Sequence, residues 1–589
     1  MAAGSRPSSV RAQFEIYPMN AFEPYDRVIV LALDSVCWEV LMPLVMDGTM
    51  PALGAYLQKS NYGVLESSVP PHTAAAWSTW LTGKDPGKHG IIDFVRFNPR
   101  THRFAFNDSS QTRDASLFTL LSNAGVSCGS IFLPRNYPPY PLKQGYMISG
   151  FETPGANSHF AEPPELREEV LNVSPALHFN FDDDWEQEID DDDAFARNIE
   201  RAISAVDLLE SLSVHFQRTR PTRVQVAYLQ ATDILFHKTW RWCDPKTAGS
   251  NPRRRDLIKK FFRRIDASIN RILGMYSSET RRSSGRSSVR LKALPADGGS
   301  GSTLVPAEAV KEPKTLRLIC SDHGHGSSDG RVFVNSLLKN WGYLTPLGSL
   351  GKFARRLRLL GLNKAERKVR GKELPLNWKQ TRAYMAHVGI HGFVYLNLQG
   401  REPHGIVAPE DFESTRDALI EKFRAEKIPG SDRPVFKQVW KGDELYARKA
   451  ELDLPDIVVA AADGLYPRKK LTHKNPVGTT PHAVGGVHRQ DGVYAFEGDG
   501  VAFGVGQDAR ANIADIAPTI LAALGLPIPA DMTGKAMTSV FKDGLPITIA
   551  SSKKNAASTP ATPAPESPVY SKEEEQAVEK RLADLGYLE

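Results

Sequence analysis

Seven short runs of nearly uninterrupted apolar residues recur along this chain: RVIVLAL (27–33), GSIFL (129–133), VQVAYLQ (224–230), LRLIC (316–320), GFVYLNL (392–398), DIVVAA (456–461) and GVYAF (492–496). Continuous rather than alternating hydrophobicity suits strands buried on both faces of a parallel sheet. Helical patterns over 194–216 and 254–275 fall between the runs. The expected class is therefore α/β, with helices layered on a largely parallel sheet.

Three of these runs lead straight into residues suited to chemistry. RVIVLAL ends in Asp34, VQVAYLQ passes through Ala231 and Thr232 into Asp233, and LRLIC passes through Ser321 into Asp322 and His323. Ligand sites of open parallel sheets lie beyond the carboxyl ends of the strands, so three strands deliver three aspartates to one edge. One aspartate there is usually a helix cap; three with histidines attached are not easily explained by capping. His237 stands four residues after Asp233, on the same face of a helix. Gly324 permits a tight backbone after His323, and His488 lies between a glycine-rich turn and a later strand in GGVHRQDGVYAF. Such a carboxylate and imidazole set can hold two divalent cations. Phosphate ester hydrolysis is among the slowest uncatalysed reactions, and two metals about 4 Å apart can activate the attacking oxygen and stabilise the leaving one.

The stretch PPHTAAAWSTWLTG (70–83) sets one hydroxyl, Thr73, between a rigid turn and three alanines. Thr73 is either a cap that satisfies orphan amides or an oxygen presented to an anion at a positive helix end. In the second reading the alanines keep that helix end open.

The 589 residues carry 73 basic and 68 acidic side chains, a balance too even to argue for nucleic acid binding. The scattered cysteines Cys37, Cys128, Cys243 and Cys320 form no CxxC pair, which favours buried thiols over a disulfide framework or a cysteine zinc site. No run reaches the ~18 apolar residues of a membrane span, and the first residues lack a secretory apolar region. The expectation is a cytoplasmic protein. Three stretches look unlike core: a Ser/Arg/Gly/Lys-rich flexible insertion at 277–314, a linker at 551–570, and a terminal helix over 571–589 begun by a Ser571 cap. The basic segment 351–372, with Phe353, Leu357 and Leu360 at helical spacing, is read as a solvated helix face, with a weak membrane-surface contact as the alternative.

LALDSVCWEV, PPHTAAAWSTWLTGKDPGKHGIIDF, ATDILFHKTWRWCDP, SDHGHG, VNSLLKNWGYL, LNLQGREPHGIV and GGVHRQDGVYAFEGDGV succeed one another within roughly residues 27–540. In that order they resemble the alkaline phosphatase superfamily. The nearest branch is the type I phosphodiesterase/nucleotide pyrophosphatase-like one, within its predicted phosphohydrolase or phosphomutase group. The resemblance implies a three-layer α/β/α sandwich with a largely parallel central sheet. It further implies one catalytic domain over 27–545 after an extension at 1–26, with a cap or accessory region in 340–480 that helps set specificity.

Carried over residue by residue, the resemblance places Asp34, Thr73, Asp322 and His323 around one metal, and Asp233, His237 and His488 around the other. Two divalent ions are implied, with zinc or manganese expected from the donor set. Thr73 becomes the nucleophile of a phosphohydrolase acting on a phosphodiester, pyrophosphate or related ester, through a phospho-threonine intermediate. A phosphomutase on the same fold, or a binding scaffold without turnover, are the alternatives. Asp93 stands near where nucleotide pyrophosphatases use a phosphate-binding asparagine; with the basic Lys88 and Arg489 it completes the substrate-binding candidates. His325 occupies a place where the family often has an aromatic residue or Met, so it is expected to support the ligands rather than be one. Cys37 lacks the CxPxR context of a sulfatase nucleophile. The expected partner is a small-molecule, lipid or nucleotide phosphate ester.

Overall fold

The computed structural model describes residues 22–175, 177, 179, 191–275, 312–348, 375–386, 389–471, 475–479, 485–504, 506, 508–550 and 570–584. Most of the extension at 1–26, the insertion at 277–314, the basic segment 351–372 and the linker 551–570 lie outside the described residues.

Among the described residues nine strands form the central sheet, in the order Arg510–Asn512, Ser60–Glu66, Asp491–Glu497, Thr315–Cys320, Arg27–Leu33, Val224–Leu229, Cys128–Ile131, Gly145–Ile148, Ala161–Glu162. The middle of the sheet is parallel: Arg27–Leu33 pairs in parallel with both Thr315–Cys320 and Val224–Leu229. These three strands are the ones that end in the aspartates. Their register sets Leu33 opposite Leu229 and Ala32 opposite Cys320. Adjacent strands lie about 4.8 Å apart, so the residues just beyond their ends are neighbours in space.

Helices cover both faces, which makes three layers. Within Val224–Leu229, Gln225 donates to the Ser213 carbonyl of helix Asp192–Thr219 at 3.3 Å, whereas the Tyr228 ring meets Trp77 of helix Thr73–Thr82 at 5.4 Å. Two side chains three apart on a strand point to opposite faces, so the two helices lie on opposite sides of the sheet. Helices Pro51–Leu57 and Pro252–Ile272 join the first layer, and Leu117–Asn123 and Ile516–Ala523 join the second.

Three of the seven apolar runs are not parallel strands of this sheet. GVYAF lies within Asp491–Glu497, which runs antiparallel to both neighbours. GFVYLNL and DIVVAA fall in strands His391–Leu396 and Ile457–Ala461 of a separate four-stranded sheet, antiparallel throughout. Burial on both faces accounts for the apolar runs in either sheet, and it carries no information on strand direction. The second sheet has its own apolar core, in which Val394, Val458, Leu419 and Phe423 are buried. At the C-terminal end, helix Lys572–Asp584 begins with Ser571 Oγ accepting the Glu574 N–H at 3.2 Å.

Candidate functional site

The three strand ends converge as the register requires. Asp34, Asp322 and His323 offer ligand atoms all within 4.8 Å of one another, and Asp233, His237, His325 and His488 form a second group by the same measure. Asp233 sits in the first turn of helix Ala231–Cys243, with His237 one turn on; their Oδ1 and Nε2 atoms are 3.4 Å apart. His488 Nε2 lies 3.2 Å from the same Asp233 oxygen and 2.8 Å from His237 Nε2. The His323 and His488 rings stack at 3.7 Å and join the two groups.

Fixed partners aim the ligand atoms. His237 Nδ1 lies 3.1 Å from the Gly486 carbonyl and His488 Nδ1 3.1 Å from that of Pro71, which leaves each Nε2 facing the cluster. The Tyr228 hydroxyl donates to Asp34 Oδ2. Ser35 ties both groups together: its N–H donates to Asp322 Oδ1 at 3.2 Å, and its hydroxyl donates to Asp233 Oδ1 at 2.5 Å. That serine is buried at φ 66°, a left-handed backbone that a non-glycine residue adopts only where the surroundings enforce it.

Thr73 opens helix Thr73–Thr82, and its Oγ1 lies 3.3 Å from His323 Nε2. The N-cap is His72, whose Nδ1 accepts the Ala74 N–H at 3.3 Å. The capping role thus belongs to the histidine, and the threonine hydroxyl faces the cluster. All ten residues of the helix are buried, and Ala74, Ala75 and Ala76 are each 0% exposed. Small side chains let the helix pack closely on the sheet.

Electrostatics separate the three carboxyl groups. Burial, then the neighbouring Asp322 and Asp233, push Asp34 well above the usual carboxylate range. Burial raises Asp322 to about 7, with Asp233 adding to the rise. Burial also opposes ionisation of Asp233, but His237, His488 and His325 outweigh it and hold this carboxylate well below its ordinary value. Burial pushes His237 down to about 4 and His323 and His325 well below the usual imidazole range. Neutral imidazoles beside clustered carboxylates are the donor state a divalent cation requires. Among the described residues, Asp34 Oδ1, Asp322 Oδ2 and His325 Nε2 are buried and find no partner outside the cluster itself, where His323 Nε2 lies 3.7 and 3.1 Å from the two carboxylate oxygens. Leaving such groups unmatched is costly, so the residues fit two divalent ions.

His325 was expected to support the ligands, and the structure places it among the candidate ligands themselves. It belongs to the second group, with Nδ1 3.9 Å from Asp233 Oδ1 and 3.1 Å from Ser35 Oγ. The signal was present: residues two apart on an extended strand share a face, and His323 and His325 bracket the start of strand Gly324–Ser327. Gly324 is also explained differently, since a Cβ there would lie 2.0 Å from the Asp491 carbonyl oxygen. The need is close backbone approach rather than a turn. Ser35 and Tyr228 were missed as well, and no sequence pattern marks them.

The substrate-binding candidates scatter. Asp93 is buried near the threonine helix, its Oδ1 3.8 Å from His72 Nε2. Lys88, in the short helix Pro86–His89 beyond the far end of the threonine helix, donates to the Asp531 carbonyl at 2.9 Å. Arg489 comes directly after His488 and borders a cavity. All four cysteines are buried and unpaired, and burial pushes the Cys37 thiol up, away from a reactive thiolate.

Residues 28–282 match the family model described as type I phosphodiesterase / nucleotide pyrophosphatase. Among solved structures, the chain is similar to phosphonoacetate hydrolase from Sinorhizobium meliloti 1021 in complex with phosphonoacetate, at 12% identity, 85% of this chain, 96% of that one and a TM-score of 0.49. It is similar also to murine ectonucleotide pyrophosphatase / phosphodiesterase 5, at 13% identity, 88% of this chain, 100% of that one and a TM-score of 0.46. No curated protein matches the chain in sequence.

Proposed function

We propose that this chain is a phosphoester hydrolase that cleaves a small-molecule phosphodiester, pyrophosphate or related ester through Thr73, a reading supported by the match of residues 28–282 to the type I phosphodiesterase / nucleotide pyrophosphatase family model. The observation that carries the reading is the position of Thr73 Oγ1, at a helix N-terminus and 3.3 Å from His323, a member of one of the two candidate metal-ligating groups.

In this reading Asp34, Asp322 and His323, with Thr73, would hold one divalent ion, and Asp233, His237, His325 and His488 would hold the other, zinc or manganese by donor type. When bound, the ions supply Lewis acidity to the reacting oxygens. Thr73 Oγ1 gives up its proton to solvent and attacks phosphorus in line, so that an Oγ1–P bond forms as the bond to the leaving oxygen breaks. The departing oxygen takes a proton from solvent. Water then cleaves the phospho-threonine by a second in-line displacement, which returns the hydroxyl. The amides at the start of the Thr73 helix favour the anionic group beside them. Ser35 and Tyr228 hold the carboxylates still, and burial of the cluster strengthens each electrostatic contact.

Thr73→Val keeps the branched shape and removes the attacking oxygen. Turnover of a chromogenic phosphate ester by the metal-supplemented protein is expected to fall about a thousandfold or more, because nucleophile and supporting groups act as a unit. Thr73→Ser should retain measurable activity. An active Thr73→Val protein with an unchanged melting temperature would overturn the assignment.

A further inference from the structure

Between the cluster and the second sheet lies a cavity of about 320 Å³. One wall comes from the second sheet, with the His391 and Trp440 rings 5.9 Å apart and nearly parallel, and Tyr466 of strand Leu465–Arg468 also lines the cavity. The opposite wall is Pro71, His488 and Arg489. His488 belongs both to this wall and to the metal-ligating groups, so the cavity adjoins the place where phosphorus would sit. Its volume is at the lower end of small-molecule sites, about 300 Å³ upward.

The charges on this wall do not cancel. Asp463 is paired with Lys437 at 2.6 Å, and Glu66 with Arg510 at 2.7 Å. Asp329 accepts a hydrogen bond from Ser327 at 3.0 Å. The Arg489 guanidinium donates to two neutral carbonyls, that of His488 at 3.2 Å and that of Ser327 at 2.6 Å. Among the described residues it has no ion pair within 4.0 Å. A guanidinium presents five donors; a largely buried one with carbonyl partners alone is arranged for an anion.

We propose that Arg489 is a specificity-determining residue which binds a second anionic group, a carboxylate or a phosphate on the organic part of the ester, inside this cavity. The substrate class is then a phosphate ester that carries a further negative charge beside a group small enough for about 320 Å³. The inference rests on the proposed reaction for the position of phosphorus, but it can be read without turnover.

The test uses the full chain with divalent metal supplied, and benzylphosphonates bearing at the meta position a carboxamide, a carboxylate or a second phosphonate. Calorimetric titration should show at least one anionic ligand binding about tenfold or more tighter than the carboxamide, the scale of a charge-assisted hydrogen bond in a shielded site. The tighter of the two identifies carboxylate or phosphate as the natural group. Arg489→Gln should erase the preference and Arg489→Lys should keep part of it, with melting temperatures measured alongside. Equal binding of all three ligands to the unmodified protein would overturn the inference. So would a preference that survives Arg489→Gln in a folded protein, because the bound metals alone would then explain it. Binding preference without hydrolysis of any ester would instead count against the proposed reaction and leave the role of Arg489 standing.

Discussion

Gly324→Ala is the most informative single methyl that can be added to this protein. The new Cβ would stand 2.0 Å from the Asp491 carbonyl oxygen and 2.9 Å from its carbon, both backbone atoms that no rotamer change can move. Ordinary contact begins near 3.4 Å, so the backbones must separate by about 1.4 Å, the gap between that distance and 2.0 Å. The strand that moves, Gly324–Ser327, pairs His325 with His488 and comes directly after His323. Metal ligation tolerates displacements of only about 0.2 Å. The strain should cost ~1–3 kcal/mol of stability and a few degrees in melting temperature. Metal affinity should fall about 10–100-fold, the scale seen when groups that merely orient ligands are removed. Competition against a chromophoric chelator measures the affinity, and thermal unfolding measures the stability. Gly249→Ala is the control, since a Cβ added at Gly249 would have nothing within 4 Å; it should change neither. An unchanged metal affinity in Gly324→Ala would refute the placement of His323, His325 and His488 around bound ions.

Buried charge elsewhere gives two further outcomes. Arg135 and Glu152 are 0% and 4% exposed and ion-paired, and Arg135 also donates to the Asn107 and Asp108 carbonyls at 3.2 and 2.9 Å; Glu152→Gln should therefore cost ~3–5 kcal/mol in chemical denaturation, and a loss below about 1 kcal/mol, the scale of an exposed pair, would show that solvent reaches the pair. Burial holds His391 at about 4, below the ordinary 6.5. The unfolded chain therefore takes up a proton first as pH falls, and stability present above about 6.5 is lost between 6.5 and 4, by up to ~3 kcal/mol. A His391→Gln protein whose melting temperature fell as steeply as the original over that range would contradict the assignment.

The site was more legible in the sequence than the arrangement of strands. Asp34, Asp233 and Asp322 could be placed together because strand ends in a parallel sheet share an edge, and the three strands concerned are adjacent and parallel. His237 could be added from helical spacing. The pairing of the remaining runs was hidden, since apolar burial looks alike in the parallel strand Val224–Leu229 and the antiparallel strand Ile457–Ala461. Direction and register depend on contacts far apart in sequence, such as Tyr494 opposite Cys320. Ser35 and Tyr228 were invisible for the same reason: each acts on an aspartate that another strand delivers. The two-residue spacing of His325 from His323 was legible, but not that the fold brings it beside Asp233.

The central claim is that phosphorus passes through Thr73. Each in-line displacement inverts configuration at phosphorus, so attack by Thr73 and then by water gives net retention. The decisive measurement is the stereochemical course of hydrolysis of a chiral phosphorothioate ester in heavy-oxygen water by the metal-supplemented protein. Retention is the predicted result. Clean inversion would mean that water attacks directly, and that Thr73 is not the nucleophile.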